Sequence, residues 1–163
     1  MTLSEIKQDL ATTESVAWEH LPDLDLYLDQ VVTYLSREQV QGCPEADLTP
    51  SMVNNYVKEG LLPRAIGKKY NREHLVYLRM INALKQVYNV KEIKDLLEIF
   101  ALDKAPSEIY NSYLETLDQA VLQTEDVLDE ADPSDLVMRL AVQSYVYKLV
   151  SLRLLEQLTS QNK

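Results

Sequence analysis

Leu24, Leu28, Val31, Val32 and Leu35 recur at intervals of three and four, the spacing that lines apolar side chains along one face of an α-helix. Asp23, Asp25 and Asp29 stand near the start of that run, where the helix dipole favours negative charge. The pattern predicts an amphipathic helix over about 23–38. Upstream, Leu3 to Leu10 carries a shorter helical pattern, and Trp18 and His20 lie on an irregular approach to Pro22. Residues 1–22 therefore read as an arm that packs its tryptophan elsewhere.

Gln41-Gly42-Cys43-Pro44 breaks the first amphipathic helix, and Thr49-Pro50 opens the next, with a side-chain acceptor at the N-cap and proline at the first helical position. That helix ends at Gly60, a residue that enters the left-handed conformation at no steric cost. Arg64-Ala65-Ile66-Gly67-Lys68-Lys69-Tyr70 comes next as a basic loop with glycine at its turn, read as a short β-wing. Asn71 can cap a helix with apolar positions Leu75, Leu78, Ile81, Leu84 and Tyr88. Asn89 with Glu92 three residues on forms the capping pattern that opens Val90 to Phe100.

Two long helices complete the chain. Pro106 opens one whose stripe is Tyr110, Tyr113, Leu114, Leu117, Ala120, Val121, Val127 and Leu128, closed by Ala131-Asp132-Pro133. The last, about 134–159, is apolar almost all round between Leu136 and Val150, and such a helix must be covered on several sides. One amphipathic neighbour is too little, so a second subunit is expected to cover the rest.

Composition narrows the class. Three Gly and six Pro among 163 residues leave few tight turns, and 46% apolar residues suffice for a sizeable core. The chain reads as all-α apart from the wing. No basic segment followed by an apolar run opens it, and no apolar stretch reaches the ~18 residues of a membrane span. A cytoplasmic location away from membranes is the expectation. The single Cys43 excludes an intramolecular disulfide.

A net charge of −10 argues against nucleic acid on average, but the charge is unevenly placed. Residues 1–48 hold two basic and ten acidic side chains, 49–100 nine and five, and 101–163 five and eleven. From Lys58 to Lys94 nine basic residues face three acidic ones, a footprint that fits a nucleic-acid site inside an acidic protein.

The motif gives that footprint a geometry. On the 50–59 helix, Met52, Val53 and Tyr56 share one face, while Ser51, Asn54, Asn55 and Lys58 fall on the other. Asn can read adenine with two hydrogen bonds, and Ser and Lys suit bases or phosphate. Arg64, Lys68, Lys69 and Arg72 are assigned to phosphates or the minor groove, with Tyr70 at the wing's exit completing the candidate DNA-binding set.

Val53-Asn54-Asn55-Tyr56-Val57-Lys58-Glu59-Gly60-Leu61-Leu62-Pro63, then Arg64, then Lys68-Lys69-Tyr70, then a helix and Tyr88-Asn89-Val90-Lys91-Glu92-Ile93-Lys94-Asp95-Leu96-Leu97, resembles the winged helix of MerR-type bacterial regulators. Tyr56, Gly60, Leu62, Pro63, Arg64, Lys68, Tyr70, Ile93 and Leu97 align with that family's pattern. The resemblance covers roughly 49–100 and looks nearest to a bacterial group of MerR-like proteins carrying a domain of unknown function. It departs at Asn54 and Asn55, in a shorter wing, and in the 48 or so residues that precede the match.

The expected organisation is an arm over 1–22, a winged helix-turn-helix over 23–100, and a helical dimerisation or regulatory region over 101–163. The expected function is a regulator that binds double-stranded DNA as a homodimer through its C-terminal helices. An unidentified small-molecule effector stays open, with Tyr110, Tyr113, Tyr145 and Tyr147 as pocket-lining candidates. His20, His74 and Cys43 lie without ligand spacing, so no metal site is expected. No nucleophile motif, phosphate-cradling glycine loop or carboxylate pair stands out, which points away from an enzyme and leaves no cofactor implied. The alternative is a protein-interaction adaptor that keeps the winged scaffold and works through its acidic flanks.

Overall fold

The computed structural model describes residues 2–11, 16–37, 48–128 and 132–161. They form seven helices and a two-stranded sheet: α1 (Leu3–Ala11), a 3-10 turn (Trp18–His20), β1 (Leu26–Tyr27), α2 (Leu28–Arg37), α3 (Pro50–Lys58), β2 (Lys69–Tyr70), α4 (Arg72–Leu84), α5 (Val90–Phe100), α6 (Pro106–Leu128) and α7 (Pro133–Gln161). The break expected at Gln41 to Pro44, Cys43 included, lies outside the described residues, as does Ala131 of the second break.

Local capping explains why most helices start where they do. The Thr49 hydroxyl accepts the Met52 amide at 3.2 Å, with Pro50 at the first helical position. At α4, Asn71 accepts the His74 amide, and His74 Nδ1 accepts the Asn71 amide in return at 3.1 Å. Asn89 and Glu92 close the same reciprocal box at α5, each bond 2.9 Å long. These bonds satisfy amides that a helix start otherwise leaves without partners.

α2 starts later than its periodicity suggests. Asp23 and Asp25 lie before it, and Leu24 is exposed. The cause is distant: Leu26 and Tyr27 pair antiparallel with Tyr70 and Lys69, which commits the backbone to extended geometry. The Tyr27 amide then donates to Gln30 Oε1 at 2.9 Å as the helix begins.

The main core gathers Val31 and Leu35 of α2, Val53 and Tyr56 of α3, Leu75, Leu78 and Ile81 of α4, Ile93 and Leu97 of α5, and Ile109 of α6. A second cluster joins Leu21, Val76 and Tyr110, with Val16 and Trp18 packed on it. The tryptophan expected to pack elsewhere does so here, against α4 and α6. α6 also lies against α1, and α7 packs on α5, where the Tyr88 and Ser151 hydroxyls hydrogen-bond.

α7 is the exception to close packing. Leu136 and Leu155 are its buried residues, whereas Val137, Met138, Val142, Tyr145, Tyr147, Leu149, Val150 and Leu154 stand exposed, Val137 at 70%. Among the described residues no helix is long and apolar enough to cross a membrane.

Candidate nucleic-acid interface

α3 is held by one side and open on the other. Val53 and Tyr56 are buried in the core, and burial raises the Tyr56 phenol above its ordinary pKa. Ser51, Asn54, Asn55 and Lys58 are all exposed. The division follows the helical period: residues on the core-facing stripe are apolar, and those between them point outward.

The end of α3 sets the direction of the chain into the hairpin. Gly60 takes φ +77°, the Gly60 amide donates to the Val57 carbonyl at 3.2 Å, and the Leu61 amide donates to the Tyr56 carbonyl at 2.9 Å. This is a Schellman closure, which satisfies the last carbonyls and turns the chain sharply. Leu61 and Leu62 then bury, carrying Pro63 and Arg64 to the surface.

Ile66 and Lys69 exchange both backbone hydrogen bonds, at 2.9 and 3.0 Å, around a two-residue turn. Gly67 at φ +56° and Lys68 at φ +64° give the turn two left-handed residues, the geometry that matches the twist of a hairpin. Lys68 is thereby lifted to the exposed tip. Lys69 lies back, its ammonium 5.2 Å from the centre of the Tyr27 ring.

The candidate set therefore divides. Ser51, Asn54, Asn55, Lys58, Arg64 and Lys68 are exposed, and among the described residues no ion pair holds Lys58, Arg64 or Lys68. Tyr70 and Arg72 face inward instead. Tyr70 is 6% exposed and meets the His74 ring edge-on at 5.2 Å, because β2 pairing turns alternate side chains into the core. Arg72 donates to the Leu21 carbonyl at 3.2 Å, stands 3.6 Å from the Asp23 carboxylate and covers the Trp18 ring. Its charge is committed to the arm.

His74, which the sequence offers only as a lone packing residue, organises this region. Its ring is buried; Nε2 lies 3.2 Å from the Arg64 carbonyl while Nδ1 serves Asn71. The Arg64 carbonyl can only accept, so Nε2–H donates to it, and the base of the hairpin is tied to the start of α4.

Two lysines join the surface from α5. Lys91 and Lys94 share a depression of about 420 Å³ with Asn55, Glu59, Leu61 and Val90. Their membership in the basic run is visible in the sequence, but only the packing of α5 beside α3 brings them to Asn55. Of the tyrosines read as pocket candidates, Tyr110 and Tyr113 stack at 6.2 Å, Tyr110 in the core, whereas Tyr145 and Tyr147 are exposed on α7.

A family model described as Domain of unknown function (DUF1836) matches residues 16–114. The chain belongs to the DUF1836 family. Neither the comparison with curated proteins nor that with solved structures returns a match. The DUF1836 segment spans the 3-10 turn, both strands, α2 to α5 and the first turns of α6, so it contains the whole exposed polar face of α3 and the hairpin. Its two ends meet: the Tyr110 hydroxyl donates to the Val16 carbonyl at 2.7 Å. α1 and α7 lie outside it.

Proposed function

We propose that this DUF1836 protein is a sequence-specific regulator that binds duplex DNA, with α3 as its recognition helix and the 66–69 hairpin as its wing. The observation that carries the reading is the polar face of α3. Asn54, Asn55 and Lys58 stand exposed on a helix whose opposite face is locked into the core, with Lys68 raised on a hairpin beyond its end. A helix of this kind fits a major groove ~12 Å wide, and a hairpin beyond it reaches flanking phosphates. The order of elements from α2 to α5, two helices, a hairpin and two helices, resembles that of the MerR-type winged helix and supports the reading.

In this reading Asn54 and Asn55 read base edges, Ser51 and Lys58 contact bases or phosphates, and Arg64 and Lys68 bind phosphates. Lys69 contributes from behind Tyr27. Tyr70 supports the wing from inside, and Arg72 holds the arm. The apolar surface of α7 is assigned to a second copy of the chain, which would place two recognition helices on half-sites about one helical turn apart or a multiple of it. The protein would work in the cytoplasm, without catalysis.

Selection of purified protein on a random duplex library, sequenced at two salt concentrations, tests the proposal. A two-fold symmetric motif whose retention falls steeply with salt is the expected result. No retention at low salt would overturn it in favour of a protein-binding role for the same scaffold.

A further inference from the structure

At the C-terminal end of α3 lies an open cavity of about 460 Å³, lined by Gly60, Leu62, Arg64, Tyr77, Lys94, Leu97 and Ala101 among others. This volume lies within the ~300–1,000 Å³ of small-molecule sites, which are mostly apolar with a few converging polar groups. Leu62 and Leu97 supply buried apolar floor, and Tyr77 is half-buried.

The charged groups sit on the wall. A Cβ built on Gly60 would come 3.4 Å from Lys94 Nζ, so the missing side chain leaves space beside that ammonium. Among the described residues Lys94 pairs with Glu98 at 4.0 Å, an exposed pair at the outer limit of contact, and Glu59 lines the neighbouring depression that Lys94 also borders. Arg64 is the second cationic residue in the lining, exposed and with no ion pair among the described residues. The residues lining it include two cationic side chains, Arg64 and Lys94, and one acidic, Glu98, over an apolar floor.

We propose that this cavity binds an amphipathic monocarboxylate, an apolar ring or short chain carrying one anionic group. The floor takes the apolar part, and Arg64 and Lys94 take the carboxylate in charge-assisted hydrogen bonds. Glu98 offsets part of the positive charge and disfavours a dianion. The site also has a position with consequences: Gly60 ends α3 and Arg64 begins the hairpin, so an occupant touches the joint between them. That an occupant alters DNA binding rests on the function proposed above; that one binds does not.

The test is an amide-resolved nuclear magnetic resonance titration of the full chain with benzoate and with octanoate, set against benzyl alcohol and 1-octanol. Saturable shifts at Gly60, Leu62, Leu97 and Ala101, about tenfold tighter for carboxylate than for alcohol, are expected. Lys94→Gln should weaken carboxylate binding about tenfold, and Ala101→Leu should abolish it by filling the cavity. Equal binding of alcohol and carboxylate, shifts confined to α7, or no saturable shift would each overturn the proposal. Should Ala101→Leu fail to fold, Lys94→Gln decides alone. No DNA enters the titration, so its failure leaves the library selection to be judged separately.

Discussion

The guanidinium of Arg72 reaches back across the fold to the carbonyl of Leu21, 3.2 Å away, and ties the first turn of α4 to the N-terminal arm. Asp23 and the ring of Trp18 flank the same group, at 3.6 and 5.4 Å. Replacing it by Arg72→Met should keep the stem's packing and lose the polar tie, at a cost of about 1–3 kcal/mol. Denaturant melts followed by the fluorescence of Trp18, the sole tryptophan, check this. A red-shifted native spectrum is expected; an unchanged one would mean that packing on Leu21 and Val76 alone holds the arm.

The hairpin and α3 should fail differently as DNA ligands. Lys68→Glu combined with Lys69→Glu is expected to weaken binding to all sequences alike and to flatten the salt dependence by about 0.9 for each lost phosphate contact. Lys68→Glu should account for most of the loss, since Lys69 leans on Tyr27. Asn54→Ala should instead relax preference at one base position by about 1–3 kcal/mol, read from competition between site variants. Unchanged affinity in the double variant would remove the hairpin from the interface.

Val142 and Leu149 are exposed on α7, two helical turns apart. A glutamate at either position, Val142→Glu or Leu149→Glu, should abolish self-association measured by sedimentation at several concentrations, with helix content retained. Truncation before Pro133 should leave a monomer or an aggregating chain. A well-behaved dimer of the truncated chain would place the interface elsewhere.

Stability should fall in alkali. Burial raises the phenols of Tyr34, Tyr56, Tyr77, Tyr110 and Tyr113, so each is kept neutral by the fold. A folded value above the unfolded one means that the stabilisation is complete below the unfolded pKa of about 10 and is lost as pH rises through the folded value. Melts across that range, with tyrosinate absorbance as a second signal, should show unfolding coupled to phenol ionisation. A flat stability profile there would contradict it.

Much of the helical frame is legible in the sequence because its signals are local. Thr49-Pro50, Asn71 and Asn89 with Glu92 act within three residues, and the hydrogen bonds they predict are present. The features that escape it depend on distant partners. Leu26 and Tyr27 read as part of a helix until Lys69 and Tyr70 arrive to pair with them. Arg72 reads as a phosphate ligand because its attraction to Leu21, Asp23 and Trp18 has no sequence spacing to betray it. His74 shows the same limit, since a side chain that caps its own helix and holds the Arg64 carbonyl carries no pattern beyond its identity. The outward face of α3 is readable, because a period of 3.6 residues sorts Val53 and Tyr56 from Asn54, Asn55 and Lys58 without outside help.

The contact of Tyr110 with Val16 makes the family segment a closed circuit: its chain leaves from and returns to one seam between the arm and α6. A polypeptide whose ends adjoin can have its starting point moved without redrawing its interior. Here α1 and α7 lie outside the circuit, while the helix with the polar face is set within it.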